Sequence, residues 1–306
     1  MPDSQFDAAP DSLRPVRVLR ASDAFRWPGG KRAAMIFNIA FEAWSDGVAP
    51  PIGPMGNVLK PGHFDTNALS WADYGVNRRA WRLAQMAEAA GVRASVMVNG
   101  VAAERAPATV RAMADAGHDV YAHSWGMDIV PIYLDEAEER ANIERTAQSL
   151  AEAAGERPLG WISPRVTASH ITSALLAEAG YLWHGDCNDD DLPWIAEFAD
   201  GAGGVNPLVM IPFTMDVNDL PHCVRYGGAP GALVDRFEEA LNGAIDTANG
   251  PFLLDVTAHA HVLGRPAAAW AFAEMLDIAI ENKDIWIATR REIADYALDN
   301  ASVMFA

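Results

Sequence analysis

The chain has 306 residues, with 41 acidic against 23 basic side chains and a formal net charge of −18. That balance speaks against nucleic acid as a partner, because phosphates are repelled, and against a polyanionic substrate. Half of the residues are hydrophobic and 21% are charged, the composition of a globular protein with one large α/β domain or two smaller ones.

The first residues, MPDSQFDAAPDSLRP, carry acids and no apolar stretch, so a secretory leader is not expected and the chain reads as cytoplasmic. Residues 1–26 read as an irregular N-terminal arm ahead of a single domain over 27–306. RAAMIFNIAFEAW is a continuous apolar run, the pattern of a buried strand. A Pro/Gly-rich excursion from Ser45 to Trp71 follows and reads as a long ordered loop, a natural lid. From there helical and strand patterns alternate. NRRAWRLAQMAEAA is a helix stopped by Gly91, and VRASVMVNG a strand. APATVRAMADAG is a helix and HDVYAHS a strand. DEAEERANIERTAQSLAEAAG is a long helix, PLGWISPR a strand and TSALLAEAG a helix. YLWHGDC and PLVMIPFT are strands, ALVDRFEEALNGAI a helix and FLLDVTAHAH a strand. AAAWAFAEMLDIAI is a helix, and IWIATRREIADYAL a strand with a terminal helix. No run approaches the ~18 apolar residues of a membrane span, so no membrane partner is expected. Seven or eight strands alternating with helices predict a parallel sheet, either a barrel or a doubly wound sheet. The absence of any glycine-rich nucleotide fingerprint favours the barrel and leaves nucleotide cofactors without support.

In such folds the chemistry sits at the C-terminal ends of the strands. The polar residues there are Glu42, His123, Asp128, Ser163, Arg165, His184, Asp186, Asp189 to Asp191, His259 and His261. Singly, each has a plainer reading: a solvated acid, a satisfied core imidazole, a loop cap, an ordinary ion-pair partner. Their convergence on one mouth is the signal. His259 and His261 are read as lying two apart on one strand face. Cys187 and Cys223 show no zinc or disulfide spacing.

At these residues the chain resembles the polysaccharide deacetylase family, the carbohydrate esterases with the NodB homology domain. RWPGGKRAAMIFNIAFEAW, GWISPR, LLAEAGYLWHGDCNDDDLPW, HAHVLGRP and IWIATRREIADY carry the likeness, which is strongest to the cytoplasmic allantoinase-like and cyclic-imidase-like branch. The resemblance implies a distorted (β/α) barrel of about seven parallel strands. In metal-dependent relatives a first-strand aspartate pair supplies base and metal ligand, an H-[ST]-x-x-H motif adds two ligands, and a late-strand histidine is the general acid. Here the base position falls on Ala40, the first ligand on Glu42, the motif histidines on His123 and Met127, and the acid on His259. Methionine is a poor ligand for a hard divalent ion. The resemblance therefore implies either a divalent metal, zinc first, held by Glu42, His123 and Asp128, or no metal.

The resulting expectation is hydrolysis of a non-peptide C–N bond, in a linear or cyclic amide, imide or ureide of a small molecule. Glu42, His259 and His261 are the catalytic candidates, with His259 as general acid. Trp44, Trp125, Arg165, Trp183 and Asp186 are the expected substrate-binding residues. The alternatives are an N-deacetylase of an N-acetylated saccharide and a non-catalytic ligand-binding barrel. The resemblance further implies a homo-oligomer.

Overall fold

The computed structural model describes residues 6, 8–56, 59–78 and 80–306. Residues 1–5 and 7 of the expected arm, and 57–58 of the expected lid, lie outside them. Among the described residues eleven strands form one sheet: β1 (Arg17–Leu19), β2 (Ala33–Phe41), β3 (Ser95–Val98), β4 (Asp119–Ala122), β5 (Gly160–Trp161), β6 (Trp183–His184), β7 (Trp194–Ala199), β8 (Val205–Met210), β9 (Val217–Asn218), β10 (Phe252–His259) and β11 (Ile285–Ile287). Their order is β1-β7-β8-β6-β5-β4-β3-β2-β10-β9. From β8 to β9 every pairing is parallel, and the β7–β8 hairpin with β1 adds an antiparallel edge. β11 pairs with Ala33–Met35 at the start of β2, and β3 pairs with Asn38–Phe41 at its end. The short hairpin strand β7, the two-residue β9 and the helix Gly100–Arg105 are not distinct in the sequence pattern.

The backbone ladder does not close into a ring. The gap between β10 and the segment following β8 is spanned by side chains. Asp255 Oδ2 accepts from the Thr214 N–H at 2.8 Å, and the Asp255 N–H donates to Thr214 Oγ1 at 2.7 Å.

Strand alternation sorts the core into two compartments. Met35, Phe37, Ile39 and Phe41 of β2, with Leu254, Val256 and Ala258 of β10, pack outward against helices. Ala34, Ile36 and Ala40 face inward with Leu253, Met97, Tyr121, Ile162, Trp183 and Val209. Parallel strands covered on both faces read as unbroken apolar runs, which is why both strands stand out in the sequence. Asn38 and Asp255 interrupt the inner faces, and both are fully buried. They meet the guanidinium of Arg290, whose Nη2 donates to Asp255 Oδ1 at 2.6 Å and whose Nε donates to Asn38 Oδ1 at 3.2 Å. Asn38 Nδ2 donates to Asp255 Oδ1 at 2.6 Å, and the Tyr121 hydroxyl donates to Asn38 Oδ1 at 3.3 Å. Burial pushes the Asp255 carboxyl up, against the pull of Arg290 and its hydrogen bonds. Removing one member leaves the other charge buried and uncompensated. Asp255→Ala is therefore expected to cost about 3–5 kcal/mol, read as a lowered urea midpoint at unchanged m-value. A stability loss below about 1 kcal/mol would show that Arg290 finds water or another partner.

Candidate active site

Inward-facing positions at the ends of β2 and β10 build the site. On β2 the inner face runs Ala34, Ile36, Asn38, Ala40 and then Glu42, just past the strand. On β10 it runs Leu253, Asp255, Thr257 and His259, with His259 in register with Ala40. The two strands thus carry a carboxylate and an imidazole to the same rim. His259 Nε2 lies 3.3 Å from Glu42 Oε1. From β4, His123 brings its Nε2 to 3.6 Å from the same oxygen. Its Nδ1 is 2.6 Å from the carbonyl of Ile162, which only accepts, so Nδ1 carries the hydrogen. Asn99 ties these strand ends together: its Oδ1 accepts from the Ala43 N–H at 3.0 Å, and its Nδ2 donates to the His123 carbonyl.

Behind His259 stands Asp219, fully buried just after β9. Asp219 Oδ1 lies 2.5 Å from His259 Nδ1. Asp219 Oδ2 accepts from the backbone N–H groups of His259 at 2.8 Å and Leu263 at 3.1 Å. One carboxylate therefore orients the imidazole and pins the turn after the strand. The turn itself closes on the His259 carbonyl, which accepts from Val262 at 2.9 Å and Gly264 at 3.2 Å. Glycine is required at 264, where a Cβ would stand 2.2 Å from the Ala260 carbonyl oxygen.

The charges follow from this placement. Burial alone would strip the proton from His259. The flanking carboxylates of Glu42 and Asp219 outweigh it and raise the imidazole to about 10. Burial would likewise push Glu42 up, but His259 and His123, with a smaller contribution from His261, hold its carboxyl well below the usual range. Asp219, His259 and Glu42 form a carboxylate–imidazolium–carboxylate row. His261 goes the other way: burial, with Glu42 opposing and the His259 cation reinforcing, lowers it to about 4. It is a neutral imidazole, and among the described residues its two ring nitrogens have no hydrogen-bond partner.

His261 does not continue the strand. β10 ends at His259 because the Asp219-pinned turn begins there, so the expected shared strand face is corrected to a neighbouring turn position. The two rings still meet, 5.6 Å apart and edge to face. His261 is walled by Trp71 at 4.5 Å and Trp44 at 6.2 Å. The expected lid is also shorter in loop than the sequence reading. Asp65 caps a helix, Thr66–Ala72, by accepting from the Ala68 N–H at 2.9 Å, and Trp71 comes from that helix.

A cleft of about 250 Å³ opens over this row. Glu42, His123, Thr257 and His259 lie on its floor side, with Ile52 of the long loop, Met97, Met127, Ile162, Phe213 and Met215 among its walls. Arg165 and Arg225 also line it. A wider groove of about 890 Å³ lies at the opposite end, around Phe25, Arg32 and Pro251, and holds none of these strand-end residues.

Several expected residues fall elsewhere. Trp125 turns outward: Arg145 stacks on it at 3.2 Å, and it fills the space left by Gly100, where a Cβ would lie 2.6 Å from its ring. Trp183 is fully buried one layer below the cleft, edge-on to Tyr121 at 4.8 Å and over Gly160. Asp186 is engaged behind Ser163, whose N–H it receives at 2.8 Å, with its other oxygen 2.8 Å from His184 Nε2. Asp128 accepts from the Ser45 N–H at 2.8 Å.

That last bond bears on a metal. A zinc site needs three or four N, O or S donors. Glu42 and His123 face each other, but Asp128 is committed to Ser45 and Met127 offers a thioether. Among the described residues no group of three or more His, Cys, Asp or Glu is placed to hold a metal ion. The donor set does not fit the Glu42/His123/Asp128 metal centre expected from the sequence, and no chemical step is derived through one. Nor, among the described residues, is any helix long and apolar enough to cross a membrane.

Comparison with known proteins agrees with this architecture. The family model for polysaccharide deacetylase matches residues 64–183. A Schizosaccharomyces pombe protein named "Putative polysaccharide deacetylase" is 25% identical over 244 residues, 72% of this chain and 73% of that one. The crystal structure of a probable polysaccharide deacetylase from Pseudomonas aeruginosa PAO1 is 27% identical with a TM-score of 0.76, covering 89% of this chain and 93% of that one. The crystal structure of Puue Allantoinase is likewise 27% identical with a TM-score of 0.76, covering 90% and 93%.

Proposed function

We propose that this chain, a member of the polysaccharide deacetylase family, hydrolyses a non-peptide C–N bond of a small amide, imide or ureide. The observation that carries the reading is the Asp219–His259–Glu42 row beneath a cleft of about 250 Å³. At about 30 Å³ per water, that is room for roughly eight water-sized groups, the scale of a small molecule.

His259 holds a proton against the cleft while Asp219 fixes its ring, the arrangement a general acid needs. Glu42 is the base. Beside a cationic His259 it is a weak one, and this is where the pairing matters. As His259 gives its proton to the departing nitrogen, the cation that depresses Glu42 disappears. In the same concerted passage the carboxylate takes the proton that water loses as its oxygen bonds to the carbonyl carbon. The C–N bond breaks, the new C–O bond forms, and the buried pair passes from opposite charges to two neutral groups. A low-dielectric interior favours that passage. Deprotonated His259 and protonated Glu42 then exchange the proton through solvent or directly across the 3.3 Å gap.

A substrate panel of hydantoins, cyclic imides, linear ureides and N-acetyl sugars tests this reading. Turnover is expected among the first three classes. Turnover confined to the sugars would reassign the chain to saccharide deacetylation, and turnover of none would make it a binding barrel.

A further inference from the structure

We infer that the substrate carries a carboxylate, clamped at the mouth of the cleft by Arg165 and Arg225, with its scissile amide pointing inward. The inference rests on the amide-hydrolase reading above. Both arginines line the cleft and both are exposed. Among the described residues neither guanidinium makes a hydrogen bond or an ion pair. Other arginines of this protein meet carboxylates: Arg17 with Glu197, Arg105 with Asp46, Arg140 with Glu178, Arg157 with Glu144. Two guanidinium groups left without an acid on the lining of one cleft can receive an anion brought from outside.

Two local structures hold them there. Arg165 and Val166 both have left-handed backbones, φ 62° and 54°, a costly conformation for a β-branched residue. It is held by the Val166 N–H on the Ser163 carbonyl at 2.9 Å and by Asp186 on the Ser163 N–H. Arg225 ends a π-helical turn, Leu220–Arg225, that begins directly after Asp219. The segment that orients His259 therefore also delivers Arg225.

The charge pattern fixes the direction of binding. The inner end holds two carboxylates and one imidazolium, so it repels an anion, while the mouth attracts one. On the cleft lining, one inward-facing position below His259, Thr257 Oγ1 is buried and, among the described residues, without a hydrogen-bond partner, a free donor or acceptor for the amide.

Calorimetry of the full chain with succinamate, which has one amide and one carboxylate, and with neutral succinamide tests the clamp without relying on turnover. Succinamate is expected to bind about tenfold or more tighter, with an advantage that shrinks as salt rises. Arg165→Gln and Arg225→Gln should each reduce the preference to within about threefold while leaving the urea midpoint in place. Equal affinities, no binding of either compound, or a preference that survives both substitutions would overturn the inference. If the preference behaves as expected and nothing on the substrate panel is turned over, the clamp stands and the hydrolase reading falls. If panel members are hydrolysed while succinamate shows no arginine-dependent preference, the reverse holds.

Discussion

Asp219→Asn is expected to lower kcat by about 10²–10⁴-fold with the protein still folded. Asp219 touches no solvent and holds three donors: the His259 ring, the His259 N–H and the Leu263 N–H. An asparagine supplies one acceptor oxygen where the carboxylate supplies two, and its amide nitrogen faces donors rather than acceptors. The imidazole loses both its orientation and half of the negative charge that keeps it protonated. A second readout separates this from simple loosening of the turn. In the parent, Glu42 and Asp219 together raise His259 to about 10 against its burial, so the acid should stay charged through the neutral range. The basic limb of kcat/KM is therefore expected near pH 10 and, in the variant, displaced toward neutrality. A variant with reduced kcat and an unmoved basic limb would leave Asp219 as a purely structural residue.

Why Asp219 escapes the sequence reading is instructive. Its strand, β9, is two residues long, and its partner is 40 positions away. Nothing in DVNDLPHCVR is periodic, and in a chain with 41 acids one more aspartate carries no signal. Glu42 and His259 were legible because each ends a long apolar run that had to be a strand, and strand ends in such folds converge. Alternation then tells which side chains face inward, but only where the strand is long enough to set a phase. β2 and β10 are nine and eight residues and set it; β5 and β6 are two each and do not. That is how Trp183 and Asp186 came to be expected in a cleft that lies above or beside them. Trp125 depended on something sequence spacing does not express: the bare Cα of Gly100 that lets its ring turn away from the mouth. Asp128 depended on a loop contact with Ser45, 83 positions distant. The parallel α/β order itself, by contrast, followed from hydrophobic pattern alone, and the gap its ladder leaves is spanned by Thr214 and Asp255.

Glu42→Gln tests the other end of the row. Gln keeps the size and removes the charge, and kcat is expected to fall by about 10²–10⁴-fold, the range of a lost general base. Retention of activity to within about tenfold would hand the base role to the neutral His261, whose ring nitrogens are unpartnered. Stability against pH supplies the independent check, because Glu42 also acts on the folding equilibrium. His259 has an ordinary value of 6.5 and a folded value of about 10, set by Glu42 and Asp219 against its burial. Between those two pH values the folded protein keeps a proton that the unfolded chain has lost. The stabilisation is complete below pH 6.5 and fades as pH rises through the folded value, so the urea midpoint should decline across that window. Without the Glu42 charge the folded value of His259 drops, the window narrows, and the decline should be shallower. If Glu42→Gln is inactive but its midpoint falls with pH as steeply as the parent's, the two side chains are not electrostatically paired, and the coupled neutralisation proposed for the reaction cannot operate.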